Sequence, residues 1–98
     1  MECYLKIHSR SPNYVIGVCD KEILGKKLKN EQNCFNVSEV FFKDQLVSIE
    51  KALEILKNCH NFNAVGENIV NALISHKLIH PEGILKIEGI PIAIRLII

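Results

Sequence analysis

The spacing of apolar residues changes twice along this chain, and that change limits the folds open to it. Near the start, residues 3–8 alternate apolar and polar side chains, which is typical of a half-buried strand. From residue 49 apolar residues recur every three or four positions, which predicts helices. After residue 83 the sequence returns to β-branched, apolar segments. Strands at both ends with helices between them indicate an α+β fold.

The first two predicted strands are residues 3–8 and 14–20. Between them, Pro12 fixes φ and Asn13 tolerates a left-handed backbone, so we expect a turn and an antiparallel hairpin. Gly17 lies inside the second strand, where it predicts a bulge or a close approach to the backbone.

The middle of the chain is polar and then aromatic. After the second strand we predict a short helical turn, capped by Asp20 and ended by Gly25. Residues 34–42 are rich in aromatic and β-branched side chains, which predicts a third strand.

Two helices follow. Ser48 is the expected N-cap of the first, whose apolar stripe is Ile49, Ala52, Leu53, Leu56 and Cys59. Asn63 is the expected N-cap of the second, which runs to His76 and ends before Pro81. The stripe of the second helix is Val65, Ile69, Ala72 and Leu73.

The chain closes with two β segments, residues 84–89 and 91–98, forming a tight hairpin or one bent strand. Pro91 cannot donate a ladder hydrogen bond, so we expect it at an edge or a bend. The predicted architecture is a single domain, 1–98, of β-β-β-α-α-β-β order. Two helices pack on one face of a mostly antiparallel sheet.

Composition excludes several classes of protein. The chain has 98 residues and a formal charge of +1, so no global field attracts nucleic acid or an acidic membrane. Its apolar runs are much shorter than the roughly 20 residues of a membrane helix. Four cysteines without C-x-x-C spacing, and no signal-like start, predict reduced thiols in the cytoplasm and no structural metal.

Two sets of side chains could form a reactive site or could have ordinary structural roles. Cys19 could be a nucleophile if His8 lay near it across the hairpin, but the neighbouring Asp20 stabilises the neutral thiol. His76 and His80 could share a metal only on one continuous helix, which Pro81 opposes. We therefore expect no cofactor, and structural roles for these side chains.

Gly25-Lys26-Lys27 is not a phosphate-binding loop, because its pattern lacks the first glycine and the final serine or threonine. What remains is a local excess of positive charge: residues 1–30 carry six basic and three acidic side chains. The expected nucleic-acid contacts are Lys6, Arg10, Lys21, Lys26, Lys27 and Lys29.

A glycine beside a glutamate marks the start of the second predicted helix. Glycine in a helical turn costs about 1 kcal/mol relative to alanine, so Gly66 indicates that something approaches the backbone there. Helix-to-sheet packing or a ligand contact would both explain it. Glu67 is favourable beside the positive end of the helix dipole.

Five short blocks, in this order and spacing, give the chain a resemblance to a known family: CYLKIH, VCDKEILGK, FF, NAVGE and IEGIP. The chain resembles the archaeal family catalogued as domain of unknown function 424. The family pattern falls on Cys19, Asp20, Glu22, Leu24 and Gly25, and then on Asn63, Val65, Gly66 and Glu67. The resemblance implies an archaeal, intracellular setting, no established activity, and a housekeeping role beside the information-processing machinery.

Three hypotheses about function follow. The first is a non-enzymatic module that contacts structured RNA or a ribonucleoprotein through the basic residues, with Cys19, Asp20, Asn63, Gly66 and Glu67 as a second ligand or partner corner. The second is a protein-interaction domain, or a homodimer, built on the C-terminal strand, because so apolar an edge needs a partner. The third is a cysteine- or metal-dependent enzyme.

Overall fold

The computed structural model describes residues 1–10 and 13–96, and it confirms an α+β fold with a mainly antiparallel sheet. Its strands are β1 Glu2–Arg10, β2 Asn13–Asp20, β3 Lys27–Lys29, β4 Cys34–Asn36, β5 Gln45–Ser48, β6 Phe62–Val65, β7 Ile84–Ile87 and β8 Ile90–Arg95. Its α-helices are α1 Glu39–Phe42, α2 Ile49–Leu56 and α3 Glu67–Ser75. Short 3-10 turns occupy Lys21–Ile23 and Pro81–Gly83.

Six strands form the main sheet, in the order β5-β1-β2-β6-β8-β7. All neighbours are antiparallel except β2 and β6, which run parallel. The predicted β1–β2 hairpin is confirmed. Of the two alternatives for the C-terminal segments, β7 and β8 form the hairpin. Strands β3 and β4 form a separate two-stranded ribbon.

The sheet is covered on both faces. On one face, α2 and α3 pack over a core that includes Leu5, Val18, Ala64 and Ala93. This agrees with the prediction of two helices on one face. On the other face the ribbon and α1 enclose a smaller core, which the sequence pattern did not predict: Cys19, Leu28, Val37, Phe42, Val65, Ile87 and Ile92.

The prediction of a single strand over residues 34–42 is wrong. The segment breaks after β4, and Ser38 caps α1 by accepting a hydrogen bond from the Phe41 backbone N–H at 3.2 Å. The aromatic side chains that suggested a strand belong to a helix: Phe42 is buried in the smaller core, and the half-buried Phe41 covers the sheet at Gly17. The Gly17 pairing with Lys6 is regular, so the expected close approach is present without a bulge.

The predicted start of the second helix is too early along the chain. Residues 62–65 form β6, and α3 begins at Glu67 with Gly66 as its N-cap, so Asn63 is not a cap. The helix ends at Ser75 and the left-handed Lys77 (φ 58°) turns the chain before Pro81 is reached.

The C-terminal strand is not an edge. β8 lies between β6 and β7, and the sheet edges are β5 and β7. Pro91 is the second residue of β8, and the β6 ladder begins one residue later, at Ile92, so no partner on β6 needs its missing N–H. Residues 97 and 98 of the predicted strand, and the predicted turn residue Pro12, lie outside the described residues. Every helix in the described ranges is far too short for a membrane crossing.

Candidate functional site

The parallel pairing of β2 with β6 brings the two sequence blocks together. Cys19 is registered with Val65. The next residue along each strand, Asp20 on β2 and Gly66 after β6, therefore lies at the same end of this parallel strand pair. The chain then leaves β2 into the Lys21–Ile23 turn and leaves β6 directly into α3. Residues 46 positions apart in sequence therefore form one corner.

The Asp20 side chain is the N-terminal cap of α3. Its Oδ2 accepts a hydrogen bond from the Asn68 N–H at 2.8 Å, and its Oδ1 accepts one from the Ile69 N–H at 2.9 Å. These amides belong to the first turn, whose N–H groups have no partner within the helix. Asp20 was predicted to cap the turn that follows it, but it makes no side-chain hydrogen bond there. A side chain from another strand therefore does what a local cap usually does.

Gly66 leaves room for that carboxylate. A Cβ at position 66 would lie 2.4 Å from Asp20 Cγ and 2.5 Å from Oδ2, and the backbone has φ 122°. Both observations require glycine. The Gly66 N–H donates to the Pro91 carbonyl at 3.0 Å, which ties the same corner to β8. What approaches the backbone at Gly66 is the side chain of Asp20.

Asp20 is only 4% exposed, and burial raises the pKa of its carboxyl above the ordinary value. The hydrogen bonds from Asn68 and Ile69 oppose this rise because they stabilise the ionised form. With both oxygens occupied by helix amides, the carboxyl is committed to holding α3.

Cys19 is fully buried, and burial raises the pKa of its thiol to about 12. Its neighbour across the hairpin is Tyr4, whereas His8 pairs with Val15. Four residues of strand separate the two positions, or about 13 Å. His8 instead stacks on Phe41 with ring centroids 4.4 Å apart, and its Nε2–H donates to the Phe41 carbonyl at 2.8 Å. The burial of Cys19, the raised pKa of its thiol and its distance from His8 all argue against a reactive Cys19–His8 pair.

The other two residues of the predicted corner, Asn63 and Glu67, take no part in the Asp20 cap. Asn63 is registered between Gly17 and Ile94, on the ribbon side of the sheet, because its neighbours Phe62 and Ala64 face the helices. Glu67 is exposed and lines a cleft beside β7. The structure therefore brings Asp20 and Gly66 together, one residue beyond the paired Cys19 and Val65. Asn63 lies on the same face of the sheet as Cys19, and Glu67 lines the cleft beside β7.

The histidines lie on separate elements. His76 is the C-cap of α3, with Nδ1–H donating to the Ala72 carbonyl at 3.0 Å. His80 precedes the Pro81–Gly83 turn, and its Nδ1 accepts from the Glu82 N–H at 3.2 Å. Within residues 1–10 and 13–96, no three His, Cys, Asp or Glu side chains are grouped as a metal site requires.

Among the six predicted nucleic-acid contacts, two lysines have partners elsewhere in the fold and three lie together. Lys6 Nζ donates to the Val40 carbonyl at 2.8 Å, and Lys21 Nζ pairs with Glu2 at 3.6 Å. The Arg10 side chain lies outside the described part of the chain. The remaining three lysines, Lys26, Lys27 and Lys29, are exposed on the β3–β4 ribbon, and we call this surface the lysine ribbon.

Leu28 anchors the lysine ribbon. It is 3% exposed and packs in the smaller core, so its strand neighbours Lys27 and Lys29 must face solvent. Asn36 is registered opposite Lys27 and is also exposed. Neither residue was among the predicted contacts, although alternation over K-L-K was an available signal. Asp20 was likewise not predicted as the cap of α3, for which Gly66 was the sign in the sequence.

An open groove of about 760 Å³ separates α2 from α3. Its apolar lining includes Ile49, Leu53, Ala72 and Leu78. His76, which was considered above as a metal ligand, also lines it. None of the corner residues lines it, so this groove is distinct from the Asp20–Gly66 corner.

Comparisons with known proteins agree with this architecture. An uncharacterized conserved protein from Methanopyrus kandleri has a similar solved structure, with a TM-score of 0.76 and 22% sequence identity. The match covers 96% of this chain and 90% of that one, and at this identity it shows the shared fold alone. No curated protein matches the chain. The model of the family described as Protein of unknown function (DUF424) matches residues 8–97. This chain belongs to that family.

Proposed function

We propose that this chain is a non-enzymatic binding module that contacts structured RNA, alone or within a ribonucleoprotein, through the lysine ribbon. The observation that carries the proposal is the fixed outward direction of Lys27 and Lys29 on either side of buried Leu28. Alternate strand residues lie about 7 Å apart, so each ammonium group is free to meet a different phosphate. Contacts of this kind supply most of the affinity in RNA binding.

The charges around the ribbon support this function. In the part of the chain that the structure describes, the ion pairs are Lys21–Glu2 and Lys43–Glu39, and neither involves a ribbon lysine. The carboxylate of Glu88 accepts the Lys29 backbone N–H at 3.0 Å, so it contributes one nearby negative charge. The ribbon segment from Lys26 to Asn36 still carries three lysines against one glutamate.

Exposed amides accompany these lysines. Asn36 faces solvent beside Lys27, and Asn30, Gln32 and Asn33 are exposed at the ribbon turn. The Asn30 side chain shapes this turn by accepting the Gln32 and Asn33 N–H groups at 2.9 and 2.7 Å. Amide side chains hydrogen-bond to phosphate, sugar and base edges alike. A lysine row flanked by amides is suited to a folded RNA backbone.

A non-enzymatic role is supported by how the reactive side chains are used. Cys19 is buried with a pKa of about 12, and Asp20 caps α3. A cytoplasmic location is supported by four cysteines that are all unpaired.

Fluorescence anisotropy with a labelled RNA hairpin tests the proposal. The double variant Lys27→Gln/Lys29→Gln removes two ribbon charges, and Lys51→Gln/Lys57→Gln removes two exposed charges from the α2 side. We expect the ribbon variant to bind roughly tenfold more weakly, and the α2 variant to bind like the wild type. Equal affinity of all three proteins, or no binding by the wild type, would contradict the proposal.

A second candidate is a homodimer formed through the apolar end of β8. Ile94 is 62% exposed and Leu96 is 67% exposed, although β8 itself is paired on both sides. Exposed aliphatic side chains on a sheet face favour a protein partner. Sedimentation of Ile94→Glu tests this candidate, with Val40→Glu as the matched control because Val40 is 79% exposed on α1. A wild-type monomer at high concentration would exclude it.

A further inference from the structure

The outer edge of β7 presents unpaired backbone groups. Glu88 and Gly89 have φ 53° and 78°, as in a two-residue hairpin turn, and they join the registered pair Ile87–Ile90. In such a hairpin the pair beside the turn is hydrogen-bonded, and the pattern then alternates. Leu85 and Ile87 therefore bond to β8, while the N–H and C=O groups of Ile84 and Lys86 point away from the sheet.

A cleft of about 250 Å³ runs beside this edge, between β7 and α3. Its apolar lining is Val70, Ile74, Pro81, Ile84 and Pro91. Its polar lining is Glu67, Asn71 and Lys86. Because Ile84 and Lys86 are two residues apart, both side chains face the cleft, whereas Leu85, 44% exposed, faces the other side of the sheet. A strand added to β7 would place every second side chain in the cleft.

We propose that the β7 edge binds an extended segment of a partner protein as an added antiparallel strand. The segment carries an acidic residue opposite Lys86, followed by apolar residues opposite Leu85 and Ile84. Main-chain hydrogen bonds to Ile84 and Lys86 supply the affinity, and the cleft selects the side chains. Glu67 lies on the α3 wall of the same cleft, so it disfavours a second acidic side chain of the segment in the cleft.

Charge favours a foreign segment over a second copy of this chain. In a symmetric antiparallel pairing of two β7 strands, residues facing each other lie on the same face. Such pairing sets Lys86 either against Lys86 of the other copy or against its Ile84. The first register places like charges directly opposite, which is destabilising, and the second gives neither lysine a carboxylate partner, so a lysine here discourages unselective pairing. An acidic partner residue removes that obstacle.

The test begins with random peptides displayed on phage and selected on the full-length protein. The selected sequences are synthesised with a fluorescent label and titrated against the wild type, Lys86→Ala and Lys86→Pro. Both substitutions remove the lysine charge. Proline also removes the outward N–H, which β8 does not use, whereas alanine keeps it, so the difference between the two variants measures the main-chain hydrogen bond. We expect Lys86→Pro to bind at least about tenfold more weakly, and Lys86→Ala to lose about threefold together with the preference for an acidic residue.

Amide hydrogen exchange on the wild type supplies a measurement that does not depend on the folding of a proline variant. The Ile84 and Lys86 amides should exchange quickly in the free protein and slow at least about tenfold with peptide, whereas Leu85 and Ile87 are slow in both. The Lys27→Gln/Lys29→Gln protein should bind the peptide like the wild type, which separates this site from the lysine ribbon. Absence of selected peptides, binding unchanged by Lys86→Pro, exchange unchanged by peptide, or a dimer that protects β7 would overturn the proposal.

Discussion

The carboxylate of Asp20 occupies the space that a side chain at Gly66 would fill. A Cβ on Gly66 would lie 2.4 Å from Asp20 Cγ, and the same carboxylate holds the first amides of α3 at 2.8 and 2.9 Å. One aspartate thus links the end of β2 to the start of α3 across a parallel strand pair. The two sequence blocks that match the family pattern, at Cys19-Asp20 and at Gly66-Glu67, therefore meet at a structural corner of the fold.

Gly66→Ala should destabilise the protein by roughly 2–4 kcal/mol, because it combines backbone strain at φ 122° with loss of the Asp20 cap. Urea unfolding measures the change. Gly83→Ala is the matched control, since a Cβ at Gly83 meets nothing within 4 Å, and it should leave the free energy of unfolding almost unchanged. Equal effects of the two substitutions would show that the corner is not under this constraint.

Asp20 should make stability depend on pH in the direction set by its burial. Burial raises the folded-state pKa above that of the unfolded chain, so the folded state binds the proton more tightly. The free energy that protonated Asp20 contributes is therefore fully present below the unfolded pKa, about 4, and is lost as pH rises through the folded pKa. Urea unfolding of wild type and Asp20→Asn, from acidic to neutral pH, isolates this contribution.

The stability of the wild type relative to Asp20→Asn should fall as pH rises. A relative stability that instead rose with pH would mean that the two amide hydrogen bonds outweigh burial and lower the pKa.

Gly17→Ala should cost about 1–3 kcal/mol by overpacking. A Cβ at position 17 would lie 2.7 Å from the Phe41 ring and 2.8 Å from the Phe41 carbonyl oxygen. Since His8 stacks on the same ring, the substitution should also shift the His8 ring signals in an NMR spectrum. Wild-type stability with unmoved His8 signals would show that α1 does not lie against this strand.

Only Cys34 should react quickly with a thiol reagent in the folded protein. It is exposed, whereas Cys3, Cys19 and Cys59 are buried, and burial raises the pKa of the Cys3 and Cys19 thiols to about 12. Labelling at mildly alkaline pH should modify one thiol per chain, and Cys34→Ser should remove that fast phase. Rapid labelling of Cys19 in the folded protein would reopen a nucleophilic role.

Local pattern predicted the elements whose burial is decided by near neighbours. Strict alternation and an intervening turn predicted the β1–β2 hairpin, and Ser48 with an apolar stripe predicted α2, where the Ser48 hydroxyl accepts the Lys51 N–H at 3.1 Å. These signals lie within a few residues of the structures they specify.

Contacts between distant residues decided the segments that were predicted wrongly. Val65 fits the helical stripe of α3, yet pairing with β2 makes residues 62–65 a strand. Phe41 and Phe42 have strand propensity, yet His8 and the smaller core hold them in α1. In the candidate site, Lys26, Lys27 and Lys29 were predicted from their charge alone. The strand that exposes Lys27 and Lys29, and the partners of Lys6 and Lys21, depend on tertiary contacts that the local pattern did not predict.

The salt dependence of RNA binding tests the proposed function most directly. Each phosphate contact contributes about 0.7–0.9 to the slope of log affinity against log salt concentration, so Lys27→Gln/Lys29→Gln should reduce the magnitude of the slope by about 1.4–1.8. The Lys51→Gln/Lys57→Gln slope should equal that of the wild type. A ribbon variant with the wild-type slope would contradict the assignment of the lysine ribbon as the RNA contact.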